Sequence, residues 1–107
     1  MSGRPVLEPV WRDGQMIRVM FLCPGCRIYH TPVVNAPDGG PVWEFNQDLV
    51  RPTLSPSILV TGEFGEDRVP QRCHSFVRGG RIEFLSDCTH ALAGQAVDLP
   101  PIPEGGA

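Results

Sequence analysis

The sequence predicts an all-β domain: short strands in hairpins that form a small zinc-stapled sheet or sandwich, with one short helical turn. Three observations carry this. Glycine and proline number twelve each in 107 residues, far above ordinary usage and without a collagen-like period, which favours turns over long helices. Apolar residues alternate with a period of two in several segments, as at Ile17, Val19, Phe21 and Cys23. Four cysteines and three histidines stand where distant parts of the chain can converge on one ion. A chain of this length forms one domain and buries roughly 65% of its unfolded surface. Residues 1–99 are expected to be that domain, and 100–107 a poorly ordered Pro/Gly-rich tail.

Turn spacing suggests about seven or eight strands. Val6 to Trp11 and Gln15 to Cys23 flank Arg12-Asp13-Gly14, a hairpin turn. Cys23-Pro24-Gly25-Cys26 then reverses the chain into a β-rich run from Arg27 to Val34. Residues 35–40 are a turn, and Val42 to Asn46 a further strand. Residues 47–57 read as a loop stiffened by Pro52 and Pro56. Ser57 to Phe64 reads as a strand, followed by a polar turn from Gly65 to Pro70. Cys73 to Arg78 and Arg81 to Ser86 form the clearest hairpin, around Gly79-Gly80. Asp87 is placed to cap a helical turn from Cys88 to Ala93, which Gly94 closes. Gln95 to Leu99 is a last short strand. Trp11, Trp43 and Phe45 read as core or sheet-face residues.

If Gly79-Gly80 is a two-residue turn, parity divides the hairpin into two faces. Cys73, Ser75, Val77, Ile82, Phe84 and Ser86 share one, with Cys88 if the strand continues. His74, Phe76, Arg78, Arg81, Glu83 and Leu85 share the other. The first face carries less charge and should be buried. It brings Cys73 toward Cys23 and Cys26. The expected ligands of one structural zinc are Cys23, Cys26, Cys73 and His90, with Cys88 competing for the fourth place. A structural zinc contributes on the order of 10 kcal/mol of folding energy in small metal-dependent peptides. A domain's net stability is about 5–15 kcal/mol, so such an ion is decisive here. A redox dithiol fits less well, because Cys26 is followed by β-forming residues and not by a helix.

Composition narrows the function. All nine basic residues are arginine, the net charge is −3, and no basic run appears, which disfavours duplex nucleic acid. No stretch is long enough to span a membrane, and residues 1–11 lack a signal-type apolar core. The expected location is a bacterial host's cytoplasm, where four cysteines point to metal over disulfides. The zinc-deaminase, His-Glu-x-x-His, P-loop and Gly-x-Ser-x-Gly patterns are absent from the sequence. The first expectation is therefore a module that binds another protein through the stiff loop at Arg51, Thr53 and Ser55. The alternative is a small zinc-dependent or Cys-His hydrolase using His74, Asp87 and His90. Thr53, Ser55 and Ser57 also carry oxygens but read first as partners for loop backbone. Single-stranded nucleic-acid binding is a third possibility.

CPGC at 23–26, WEFN at 43–46, RPTLSPSILV at 51–60 and CHSFVRGGRIEFLSDCTHALAGQAVDLP at 73–100 resemble a family of small phage and prophage proteins. Its members often carry an ammonia monooxygenase label. A membrane-bound copper enzyme needs spans that this sequence lacks. The resemblance implies a phage or prophage origin and a compact metal-stabilised domain, with no activity attached.

Overall fold

The computed structural model describes residues 3–63 and 68–102. Among these the chain forms eight strands and no helix: β1 (Glu8–Arg12), β2 (Gln15–Leu22), β3 (Tyr29–His30), β4 (Glu44–Phe45), β5 (Leu54–Glu63), β6 (Pro70–Arg78), β7 (Arg81–Phe84) and β8 (Ala96–Asp98). They make two antiparallel sheets, β1-β2-β3 and β4-β5-β6-β7-β8. Both sheets contribute to one core. Val19 and Phe21 of β2 join Leu54, Ile58, Cys73, Val77, Ile82 and Phe84 there, with Val6, Leu7 and Leu99 from the flanking chain.

Turn chemistry sets the two main hairpins. Asp13 and Gly14 both take positive φ between Arg12 and Gln15, and so do Gly79 and Gly80 between Arg78 and Arg81. That is the geometry whose twist suits a two-residue β-hairpin. The second turn is also fastened from outside. Thr53 Oγ1 accepts the Gly79 N–H at 3.0 Å, and the Gly80 N–H reaches the Pro52 carbonyl at 2.9 Å. A Cβ on Gly80 would lie 3.2 Å from both the Arg51 Cα and the Val50 carbonyl oxygen. The 50–53 segment is thus clamped onto the hairpin tip. Asp48 holds this segment from its other end by accepting the Val50 and Arg51 N–H groups. Those bonds keep its carboxyl below the usual range.

The faces of β6 and β7 follow the expected parity. Cys73, Ser75, Val77, Ile82 and Phe84 are buried, while His74, Phe76 and Arg78 turn outward. Four expectations need correction. The 88–93 segment is a set of hydrogen-bonded turns, Ala93 N–H to the His90 carbonyl and Gln95 N–H to the Leu92 carbonyl, so Asp87 caps no helix. β7 ends at Phe84: the Leu85 N–H still reaches the His74 carbonyl of β6, but the His74 N–H goes to Cys88 Sγ and not back to Leu85. The 47–57 loop is shorter than expected: β5 begins at Leu54, in register with Val77. Trp11 is not a core residue but lies 59% exposed. The turn expected at 65–70 and the tail fall partly outside the described residues (Phe64 to Asp67 and 103–107). Ile102, at the described end of the tail, bonds back to the Pro5 carbonyl.

Core and surface aromatics should therefore differ sharply. Phe21→Ala should lower unfolding free energy by about 3–5 kcal/mol, and Trp11→Ala by less than about 0.5 kcal/mol. Denaturant midpoints at constant slope measure both.

Candidate active site and metal centre

β6 carries two kinds of chemistry on its two faces. Cys73 points inward and His74, the next residue, points outward. Inside, Cys73 meets the Cys23-Cys26 turn and His90, and one ligand atom from each of the four lies within 4.8 Å of the others. The turn is built for convergence. The Arg27 N–H closes on the Cys23 carbonyl at 2.8 Å, and the Cys26 N–H points at Cys23 Sγ at 3.4 Å. Arg27 takes a left-handed φ of 63° to re-enter the sheet. Gly25 lies beneath the His90 ring: a Cβ there would come within 2.3–2.6 Å of three ring atoms.

The electrostatics of this cluster ask for a cation. Hydrogen bonds from Cys26, then Cys73, hold the Cys23 thiol far below its ordinary range. The converse pushes Cys26 up to about 12, through its bond to Cys23, burial and the Cys23 charge. Cys73 is pushed up strongly by its bonds to Cys23 and Cys26 and by burial. One thiolate is therefore cheap and the next two are not, unless positive charge sits among them. Burial pushes His90 down toward the neutral form that ligates, and its Nε2 is buried without a hydrogen-bond partner. Sulfurs around a tetrahedral zinc, with bonds of about 2.3 Å, stand about 3.8 Å apart. Cys23 Sγ and Cys73 Sγ are 3.8 Å apart as free thiols. The residues fit a four-coordinate soft metal. His30, buried against Phe21, sets Nε2 3.7 Å from Cys26 Sγ, where it can support that sulfur from outside the ligand set.

Cys88 lies outside this cluster. Its thiol accepts the His74 N–H and faces the His74 carbonyl, both at 3.2 Å. That carbonyl also accepts the Leu85 N–H at 2.9 Å. The backbone of His74 is thus bracketed by the segment that carries Asp87 and His90.

On the outer face His74 is the centre of a three-residue chain. Its Nε2 lies 3.0 Å from Ser57 Oγ and its Nδ1 3.2 Å from Asp87 Oδ2. Ser57 comes from an irregular stretch of β5, where the three residues between Leu54 and Ile58 oppose the single residue Phe76 of β6. Such bulges re-aim side chains. Trp43 Nε1 holds the Ser57 carbonyl at 3.2 Å, and Ile58 beyond it is buried, so parity turns Ser57 to the His74 side. Arg72, two residues before His74, sets its guanidinium 3.7 Å from the same Asp87 oxygen.

The expected pair His74 and Asp87 is therefore brought together, whereas His90 faces the metal cluster on the other side. Ser57 was expected to serve loop backbone and instead faces His74. Of the proposed contact residues, Arg51 and Ser55 are exposed, and Thr53 is engaged with the Gly79 turn.

Both halves of the site can be probed separately. Native protein should carry one zinc per chain, and a strong chelator should abolish its cooperative thermal transition. Gly25→Ala, which drives a methyl into His90, should weaken zinc retention by about 10-fold or more, as measured by competition with a chromogenic chelator.

A family model, "Bacterial ubiquitination-like system serine protease (BubE)", matches residues 7–85. No curated protein and no solved structure matches the chain. The matched span takes in Cys23, Cys26, Ser57, Cys73 and His74 and stops short of Asp87 and His90. With most of its length inside that match, this chain belongs to the BubE family.

Proposed function

We propose that this protein is a serine protease of a bacterial ubiquitination-like system, with Ser57 as nucleophile, His74 as general base and Asp87 as the residue that orients it. The observation that carries the reading is the continuous Ser57–His74–Asp87 chain, at 3.0 and 3.2 Å. The family description supports the reaction class and the setting. Neither Ser57 nor His74 is a metal-cluster residue, so the chemistry is that of a hydroxyl and an imidazole.

Ser57 Oγ attacks the carbonyl carbon of an amide as His74 Nε2 takes its proton. Asp87 accepts from Nδ1–H, selects the tautomer with its lone pair on Nε2, and stabilises the imidazolium that forms. Collapse of the tetrahedral intermediate breaks the C–N bond, and His74 gives the proton to the departing amine. Water then adds to the acyl-Ser57 ester with His74 again as base, which releases the acid and restores the hydroxyl. Arg72 keeps the exposed Asp87 carboxylate in place. As a partly exposed pair it adds little to stability.

The metal is proposed to be zinc with a structural role. Cys23, Cys26, Cys73 and His90 would together supply the four ligands that a structural zinc takes, which would leave no open position for a reacting water. When bound, the ion supplies the positive charge that lets all three thiols ionise together. Cys73 and His90 then anchor the two segments that carry His74 and Asp87. A contact surface at Arg51 and Ser55 is the weaker proposal, because nothing near those side chains indicates a partner's chemistry.

Ser57→Ala should abolish labelling by a small alkyl fluorophosphonate and lower ester turnover by about 10³-fold or more. Asp87→Asn should lower it by about 10⁴-fold through the wrong tautomer. Zinc content and melting temperature should stay at the wild-type values in both. Equal turnover in Ser57→Ala and wild type would end the protease reading.

A further inference from the structure

We propose that the free edge of β5, from Leu59 to Glu63, is a docking strand. An extended peptide adds antiparallel to it and delivers its acyl-side end to Ser57. This rests on the reading of Ser57 as nucleophile and adds how the substrate is held.

The direction of the edge groups follows from β6. The N–H and C=O of His74 both turn to Cys88 and Leu85, and those of Arg72 both turn to Thr89. In an antiparallel ladder the two groups of one residue point the same way. Their partners across the ladder are Leu59 and Thr61, so these two residues turn their N–H and C=O groups away from β6. On that side β4 reaches only Leu54 and Ser55. The chain before β4 then peels off, with the Trp43 N–H bonded to the Val33 carbonyl. Among the described residues no strand pairs with β5 beyond this point. Proteins ordinarily blunt such an edge with proline, lysine or a bulge. Here the only bulge in β5 lies at the nucleophile itself, and the open edge begins two residues after it.

The occupant follows from the same geometry. A strand antiparallel to β5 runs from Glu63 toward Ser57, so its C-terminal end arrives at the hydroxyl. Main-chain hydrogen bonds at Leu59 and Thr61 hold an extended segment and fix the position of its scissile carbonyl. Leu59 is 54% exposed and lies directly across from His74, so it offers an apolar contact to the residue beside it. On the same face an open cleft of about 420 Å³ runs from Thr61 and Gly62 of β5 across Arg72 of β6 to Asp87, away from the free edge. The substrate class is therefore a linear tail or an unfolded segment, about four or five residues long at roughly 3.3 Å each, read mainly through its backbone.

The test compares reagents that all react with serine but differ in length. A small alkyl fluorophosphonate measures Ser57 alone. Acetylated Ala/Leu peptidyl diphenyl phosphonates of one to four residues measure the edge, with the modified residue read by mass spectrometry. The labelling rate of wild type should rise about 10-fold or more from one residue to four, the return expected from one or two added hydrogen bonds. Thr61→Pro removes one edge donor at a position where an edge strand tolerates proline. It should lose that length dependence and keep the fluorophosphonate rate, whereas Thr61→Ala should keep both. A rate independent of peptide length, or a full length dependence in Thr61→Pro, overturns the docking strand and leaves the nucleophile standing. No fluorophosphonate labelling of wild type overturns the nucleophile, and this inference with it.

Discussion

Three buried or half-buried thiols and one imidazole, brought from three separate parts of the chain, are the constraint on which the rest of this structure depends. Without positive charge among them only one thiol ionises readily, because each further thiolate faces its neighbour's charge in a desolvated site. The cluster is therefore unfavourable alone and strongly favourable around a dication. That asymmetry matters in a chain of 107 residues, which has limited apolar surface to bury. An ion held there would fasten the Cys23-Cys26 turn at the end of β2 to β6 and to the 88–90 segment, joining the two sheets that the core also joins.

The period of a β-strand lets one element serve both tasks. Successive side chains leave opposite faces, so Cys73 joins the metal-binding cluster inside while His74 meets Ser57 and Asp87 outside. Asp87 is held in the same way by its neighbours. Cys88, beside it, grips the His74 backbone, and His90 joins the three-thiol cluster. The distance from imidazole to carboxylate is thus set by backbone that the metal centre and Cys88 fix, and not by the flexible side chains alone. Preorganisation of this kind is what a proton-transfer site requires.

Much of this was legible in the sequence where a strong turn set the register. Once Gly79-Gly80 was read as a two-residue turn, parity placed Cys73 inward and His74 outward, and the Cys-Pro-Gly-Cys turn supplied partners for the sulfur. The helical turn at 88–93 was misread for a physical reason. Asp87 and the turns after it have cap-like chemistry, but the Asp87 carboxylate bonds to a side chain on β6 and Cys88 to backbone on β6. Both are long-range partners that local propensity does not report. Ser57 reads first as a partner for loop backbone because a Ser-Pro-Ser run shortly after Pro52 resembles a loop that satisfies itself. A partial signal was available. Ile58, Leu59 and Val60 open an apolar run that does not itself say which face is buried; once Ile58 is placed inside, stepping back one residue puts Ser57 on the same face as His74.

Coupling between the two centres bears on how such an enzyme is classified. Loss of activity on chelation ordinarily assigns a hydrolase to metal-activated water. Under the proposed function the same loss would follow from position: releasing Cys73 and His90 would remove one of the ties between β6 and the segment that holds Asp87, the Cys88 and Thr89 bonds being the others, and would loosen the Ser57–His74–Asp87 chain with no metal-bound nucleophile involved. Ligand count separates the two cases, because a reacting metal keeps an open position and a four-ligand site does not. Serine-directed reagents separate them as well, since they report the hydroxyl whatever the ion does. Under the proposed function, one hydrolytic apparatus and one structural ion would stand back to back across a single strand.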